Sequence, residues 1–329
     1  MALLRGVFIV AAKRTPFGAY GGLLKDFSAT DLTEFAARAA LSAGKVPPET
    51  IDSVIVGNVM QSSSDAAYLA RHVGLRVGVP TETGALTLNR LCGSGFQSIV
   101  SGCQEICSKD AEVVLCGGTE SMSQSPYCVR NVRFGTKFGL DLKLEDTLWA
   151  GLTDQHVKLP MGMTAENLAA KYNISREDCD RYALQSQQRW KAANEAGYFN
   201  EEMAPIEVKT KKGYFVSGCD PTIMGIGPVP AINGALKKAG LSLKDMDLID
   251  VNEAFAPQFL SVQKALDLDP SKTNVSGGAI ALGHPLGGSG SRITAHLVHE
   301  LRRRGGKYAV GSACIGGGQG IALIIQNTA

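Results

Sequence analysis

Apolar residues run along the chain in two textures, short unbroken runs and longer stretches where they return every three or four positions. The run Val7-Phe8-Ile9-Val10 predicts a buried strand over 7–12, followed by a Pro-Gly loop between Pro16 and Gly22. Asp31 to Ala43 has the spacing of an amphipathic helix and stops at Gly44. Val54, Ile55 and Val56 form a short strand closing at Gly57. Behind Cys92, the residues Phe96, Ile99, Val100, Cys103 and Ile106 repeat at helical spacing, and Ala111 to Cys116 reads as the next strand, ended by Gly117-Gly118. Strands alternating with helices predict an α/β architecture, because a helical crossover is what returns the chain to lay down parallel strands.

From about 119 to 213 the texture changes. Ser175 and Asp178 form a helix start of the capping type, with a helix running to Gly197. The residues from Ser121 to Met163 are irregular, so this stretch reads as an inserted, mostly helical region. Beyond it the early pattern returns. Gly93-Ser94-Gly95, a helix, a strand and Cys116-Gly117-Gly118 are matched by Gly288-Ser289-Gly290, a helix to Arg304, a strand at Tyr308 to Val310 and Cys314-Ile315-Gly316-Gly317. Three regions follow: a first half over 1–118, the insertion over 119–213 and a second half over 214–329. Halves related by a pseudo-twofold axis would bring both Gly-Ser-Gly helix starts and the Cys314 loop to one centre.

Composition narrows the class. With 44% hydrophobic and 19% charged residues the chain is globular, and a net charge of +2 favours neither nucleic acid nor an acidic partner. Eight cysteines in 329 residues lack both the density of a disulfide scaffold and the spacing of a metal site, so a reducing compartment is expected. No apolar run nears the roughly 20 residues that span a membrane. Arg5, Lys13, Arg14 and Lys25 precede the first acidic residue, Asp26, which is the charge bias of a mitochondrial targeting segment.

Four groups carry chemistry. In Asn89-Arg90-Leu91-Cys92-Gly93-Ser94-Gly95 a cysteine stands at a helix N-terminus, where free N–H groups and the helix dipole favour a thiolate; alone, such a turn is as readily structural. His284 lies in Gly277-Gly278-Ala279-Ile280-Ala281-Leu282-Gly283-His284-Pro285, held in a turn by glycine and proline, and can take a proton from Cys92. Ser312-Ala313-Cys314-Ile315-Gly316-Gly317-Gly318-Gln319-Gly320 lacks the Lys-Ser/Thr of a phosphate loop and offers a second thiol as acid and base. In Val251-Asn252-Glu253-Ala254-Phe255-Ala256, Asn252 can hold a water that stabilises an oxyanion, while Glu253 either orients a catalytic partner or serves as a helix-start cap.

Together the four groups, in this order, resemble the thiolases, specifically the 3-ketoacyl-CoA thiolases of mitochondrial fatty-acid β-oxidation. Gly117-Gly118-Thr119-Glu120-Ser121-Met122-Ser123 and Met161-Gly162-Met163-Thr164-Ala165-Glu166 extend the likeness. The resemblance implies the thiolase fold, with layered α-β-α-β-α packing. It implies an acyltransferase that cleaves 3-ketoacyl-CoA with coenzyme A by ping-pong transfer through acyl-Cys92, or runs the reverse condensation. Cys92 would be the nucleophile, His284 its base and Cys314 the acid and base. The N–H groups of Cys92 and Gly316 would form one oxyanion hole, and His284 with an Asn252-bound water the other. Met161, Met224 and Phe255 would line the substrate path. Coenzyme A would be substrate, with no permanently bound cofactor and no metal. A homodimer or homotetramer in the mitochondrial matrix would be expected. A ketoacyl synthase-type condensing enzyme shares the fold, but typically has histidine where Cys314 stands.

The chain departs from the family at Lys211-Lys212-Gly213-Tyr214-Phe215-Val216, where family members are longer. The absent stretch would hold a basic segment contacting the nucleotide of coenzyme A and the last strands of the first half. An incomplete first sheet, weakened coenzyme A binding and low stability are therefore expected. The alternative is a catalytically impaired isoform acting only by association with full-length subunits.

Overall fold

The computed structural model describes residues 6–206 and 225–328. Helix α1 (Ala29–Gly44) opens on a capping box in which Ser28 and Asp31 satisfy each other's backbone N–H groups, and it ends at Lys45 in the left-handed region. Strand β1 (Ser53–Gly57), helix α2 (Leu69–Val77), strand β2 (Gly84–Leu88), helix α3 (Ser94–Ser108) and strand β3 (Val114–Gly118) follow. These strands form a parallel sheet in the order β2-β1-β3. Val54 and Val56 point from β1 into a core with α1 and α2, the alternation expected of a strand covered on both faces.

The insertion contains two small hairpins, β4 (Tyr127–Val129) with β5 (Leu144–Asp146), and β6 (Thr153–Asp154) with β7 (Leu159–Pro160), separated by the short helix α4 (Thr147–Gly151). Helices α5 (Met161–Tyr172) and α6 (Arg176–Glu195) complete it, the latter capped by Ser175 and Asp178.

The second half comprises α7 (Pro228–Ala239), β8 (Leu248–Val251), α8 (Ala256–Leu266), α9 (Ala279–Leu282), α10 (Ser289–Arg304), β9 (Tyr308–Ile315) and β10 (Gln319–Gln326). Its sheet runs β10-β9-β8, with β8 parallel and β10 antiparallel to β9. Ile249, Val251 and Val310 pack outward with Ile232 of α7 and Phe259 of α8, while Leu248, Ala309 and Ala313 pack inward with Ile293 and Leu297 of α10. Helices α3 and α10 thus form a central layer between two sheets, each covered outside by further helices. Phe96, fully buried in that layer, contributes about 1.5–3 kcal/mol by leaving water.

The halves repeat at a displacement of 195 residues. Ser53 pairs with Val114 and Leu248 with Ala309; α3 begins at Ser94 and α10 at Ser289. The two central helices also meet reciprocally. A Cβ on Gly95 would lie 2.6 Å from the Ser291 nitrogen, and one on Gly290 would lie 2.3 Å from the Phe96 nitrogen. The displacement carries one contact onto the other, which is the signature of an isologous, twofold-related contact. The register also corrects the motif matching: Cys116 corresponds to Gly311, and Cys314 to Thr119. Similar glycine spacing hid a shift of three residues.

No strand forms over 7–12, contrary to the apolar run. Phe8 and Val10 are 68% and 62% exposed. A strand exists only by exchanging hydrogen bonds with a neighbour, and among the described residues no backbone pairs with this segment until Arg14, which meets Glu202 and Ala204. The third strand also sits later than its hydrophobicity predicts, because Gly117 and Gly118 pair with β1 rather than ending the strand. The junction at Gly213 lies outside the described residues.

Candidate active site

Cys92 sits in the turn between β2 and α3. Leu91 before it has φ +46°, an unusual conformation for a branched residue that is held by two side chains. Asn89 Oδ1 accepts from the Leu91 N–H at 2.8 Å, and Ser94 Oγ accepts from the Arg90 N–H at 2.9 Å while donating to the Leu91 carbonyl. The backbone N–H groups of Gly316 and of Cys92 itself reach the Cys92 sulfur. The β9–β10 turn therefore closes over the start of α3.

Cys314, near the end of β9, is buried in an apolar cluster with Met161, Ala165, Ala254 and Phe255. Burial pushes both thiols up, Cys92 to about 11 and Cys314 well above the usual range. Hydrogen bonds to the Cys92 sulfur act the other way, whereas the nearby Glu120 charge adds to the rise.

His284 follows α9 and is buried. Its Nδ1 lies 2.6 Å from Ser289 Oγ, the hydroxyl of which donates to the Pro285 carbonyl at 3.1 Å. The hydroxyl oxygen is thus left to accept from Nδ1–H, so the free lone pair falls on Nε2. Asn252 Nδ2 lies against the ring edge, 3.3 Å from Nδ1 and 3.4 Å from Nε2, and Asn252 Oδ1 is buried without a hydrogen-bond partner among the described residues. Burial, with the Arg292 charge beside it, lowers His284 to about 4. All three groups rest neutral near pH 7.

Glu253 caps a helix start, that of α9 rather than of the adjacent α8. It accepts from Tyr182 Oη and Ser186 Oγ at 2.6 Å each, from Asn274 Nδ2 at 3.0 Å and from the Ile280 N–H at 3.1 Å. It ties α6 to the loop carrying His284 and caps α9, while Gln258 caps α8. Of the remaining predicted residues, Met161 and Phe255 lie with Cys314, and Met224 lies outside the described residues.

Two residues beside the site were not singled out by pattern. Ser289 fixes the His284 ring. Glu120, at the end of β3, accepts from Asn58 Nδ2 (3.0 Å), the Val59 and Met60 N–H groups (3.3 and 2.9 Å) and the Gly287 N–H (3.0 Å). It joins a loop of the first half to the loop following His284. Burial raises it to about 7 against those four donors. Among the described residues no group of three or more His, Cys, Asp or Glu side chains is arranged to hold a metal ion, and no helix is long and apolar enough to cross a membrane.

Family models for the thiolase N-terminal and C-terminal domains match residues 7–224 and 206–327. The mitochondrial 3-ketoacyl-CoA thiolase of Mus musculus is 83% identical over 397 residues, covering all of both chains. The crystal structure of human mitochondrial 3-ketoacyl-CoA thiolase superposes with a TM-score of 0.95 at 71% identity, covering 99% of this chain and 100% of that one. The same human protein in complex with CoA gives 0.94 at 71% identity, with full coverage of both. The chain belongs to the thiolase family. Within it, the chain stands with the mitochondrial 3-ketoacyl-CoA thiolases, which are acetyl-CoA acyltransferases by class. Against the 397 residues of those relatives this chain has 329, so 68 have no counterpart here.

Proposed function

We propose that the chain cleaves 3-ketoacyl-CoA with coenzyme A through an acyl-Cys92 intermediate. The observation that carries this reading is the Cys92 sulfur held against the Gly316 N–H, two residues beyond the second thiol. His284 Nε2 takes the Cys92 proton as the sulfur attacks the 3-keto carbon, whose oxygen becomes the oxyanion. The carbon–carbon bond breaks, and its electron pair leaves on the acetyl-CoA enolate, which Cys314 protonates. The Cys314 thiolate then takes the proton of an incoming coenzyme A thiol. Attack of that thiolate on acyl-Cys92 releases the shortened acyl-CoA, and Cys92 recovers its proton from His284.

Because Cys92 and His284 rest neutral, proton transfer accompanies attack rather than preceding it. The N–H groups of Cys92 and Gly316 stabilise one oxyanion, and His284 with a water on Asn252 Oδ1 the other. Met161, Phe255 and Met224 line the acyl and pantetheine path. Coenzyme A enters as substrate. The enzyme works in the mitochondrial matrix as a homodimer or homotetramer, with coenzyme A held more weakly than in the longer relatives. Intact-mass measurement after incubation with acetyl-CoA tests the chemistry: an acetyl adduct is expected on the wild type and not on Cys92→Ser. Folded protein without an adduct would overturn the proposal.

A second reading, an impaired isoform that associates with full-length subunits, is favoured by the pairing of β3 on one side alone among the described residues. Gel filtration of a co-expressed pair decides it. Co-elution supports association, and separate peaks refute it.

A further inference from the structure

The displacement of 195 carries the reactive centre onto a second point of the molecule. Cys92 maps to Gly287, Cys314 to Thr119 and Asn252 to Gly57. The mapped residues also meet. A Cβ on Gly287 would lie 2.5 Å from the Thr119 carbonyl oxygen and 2.9 Å from that of Gly57. The counterpart of the site is therefore closed by its own backbone, with no room for a side chain where Cys92 carries its sulfur. Glu120, the residue after Thr119, accepts from the Gly287 N–H at 3.0 Å, and that N–H is the counterpart of the Cys92 N–H. Its carboxylate thus takes at the start of α10 the donor that the proposed oxyanion hole offers at the start of α3.

The other three donors to Glu120 come from the loop after β1. Asn58 Nδ2 and the Met60 N–H reach Oε1, at 3.0 and 2.9 Å. The Val59 N–H shares Oε2 with Gly287, at 3.3 Å. All four partners donate, so both oxygens must accept, which a carboxylate does and a carboxamide cannot. On the far side of this link, the N–H groups of Gly288 and Ser289 both donate to the Pro285 carbonyl, making one tight turn of the chain after His284. Ser289 Oγ in that turn stands 2.6 Å from His284 Nδ1. Cys92 belongs to the first half and His284 to the second, so their spacing depends on what holds the halves in register.

We propose that Glu120 is a positioning residue for thiolysis: by clamping the Gly287 turn to the loop after β1, it holds His284, with its Nδ1–H on Ser289, in register with Cys92. This role rests on the acyl-Cys92 reaction proposed above, in which a base misplaced by about 1 Å can cost about a hundredfold in rate.

The test measures thiolysis of acetoacetyl-CoA by the full chain at pH 8, above the value of about 7 to which burial raises Glu120. In Glu120→Ala, kcat should fall at least about tenfold with KM within about twofold. Sodium formate should restore kcat saturably, at least about threefold, where equal sodium chloride does not. Glu120→Gln, of nearly equal volume, should lose as much, because its NH2 group faces two of the four donors. It carries the kinetic test alone if the alanine variant does not fold. Long-range 1H–15N spectra of protein labelled with 15N-histidine read the ring without turnover, the His284 signal being identified by its loss in His284→Gln. The wild type should show the Nδ1–H tautomer alone, and the Glu120 variants a mixture of both. Rates within twofold of the wild type in a folded variant, equal rescue by chloride, or an unchanged tautomer would overturn the assignment. Failure of both variants to fold would overturn it too, by assigning Glu120 to the scaffold. If the wild type forms no acetyl adduct, the acyl-Cys92 reading falls, while the tautomer comparison still decides whether Glu120 holds the ring.

Discussion

Cys92 combines two demands that pull against each other, a desolvated sulfur and a sulfur poised beside N–H donors. Desolvation prevails and holds the thiol near 11, so only about one molecule in ten thousand carries the thiolate at pH 7. Inactivation by iodoacetamide without substrate should therefore be slow at pH 7 and climb about tenfold per pH unit through pH 9. A plateau below pH 8 would instead reveal a resting thiolate–imidazolium pair. His284 and Glu120 make a second, paired prediction. The imidazole falls from its usual 6.5 to about 4, so the unfolded chain binds more protons between those values. Its contribution to stability is complete above 6.5 and is lost as pH falls toward 4. The Glu120 carboxyl rises from 4.5 to about 7, so the folded chain binds more protons in that window and stability is lost as pH rises through it. At about 1.4 kcal/mol per pH unit each effect is on the order of 3 kcal/mol, and the two oppose. Urea unfolding at pH 4.5 and 7 should show His284→Gln losing stability as pH rises and Glu120→Gln gaining it. Parallel slopes in the two variants would refute the pairing. The glycine-rich turns around Cys92, His284 and Cys314 marked them in the sequence. Glu120 and Ser289 carried no such mark, because their roles arise only when loops from distant positions converge.

At the scale of elements, the same residue type has opposite consequences in two helices. Gly290, in the first turn of α10, faces the α3 backbone, and a Cβ there would lie 2.3 Å from the Phe96 nitrogen. Gly234, inside α7, would meet nothing within 4 Å. Gly290→Ala should cost about 1–3 kcal/mol through forced separation of the central helices. Gly234→Ala should add about 0.5–1 kcal/mol by restricting the unfolded chain and improving helix propensity. Chemical denaturation reads both, and a loss in Gly234→Ala would place a neighbour where open space now stands. Helix α6 was legible from its Ser175-to-Asp178 spacing, and α1 from its amphipathic spacing and the glycine that ends it, though its Ser28 cap was not. Strand β2 was not, because it is an edge strand with its first three residues exposed and little hydrophobic alternation. Strand β10 was missed for a related reason. Its run Gln319–Gln326 follows the Cys314 turn directly and reads as a tail until β9 supplies its partner.

The whole molecule is asymmetric about its own pseudo-twofold axis. Among the described residues β9 is bonded on both sides in the second half, whereas β3 is bonded on one in the first. The N-terminal segment is anchored where Arg14 enters a buried network with Glu202 and His296, with His299 Nε2 2.9 Å from the Ala12 carbonyl and Lys13 Nζ donating to the Glu201 carbonyl beside it. Burial of Glu202 would oppose its charge, yet the paired His296 and Arg14 hold it down to about 2. This network fastens the segment at residue 14, and among the described residues no backbone–backbone hydrogen bond holds the residues before it. The apolar run at 7–10 predicts burial in a sheet, and the structure instead leaves Phe8 and Val10 exposed and outside any strand. Local opening free energies should follow the same division. In hydrogen exchange read by mass spectrometry, peptides from 6–13 should exchange near the unfolded rate. Peptides from β3 should exchange at least about tenfold faster than those from β9, equivalent to about 1.4 kcal/mol of opening free energy. Peptides beginning after Arg14 should regain protection where the Arg14 N–H meets the Glu202 carbonyl. Equal protection of β3 and β9 would mean that the first sheet is closed in solution and the two halves are alike.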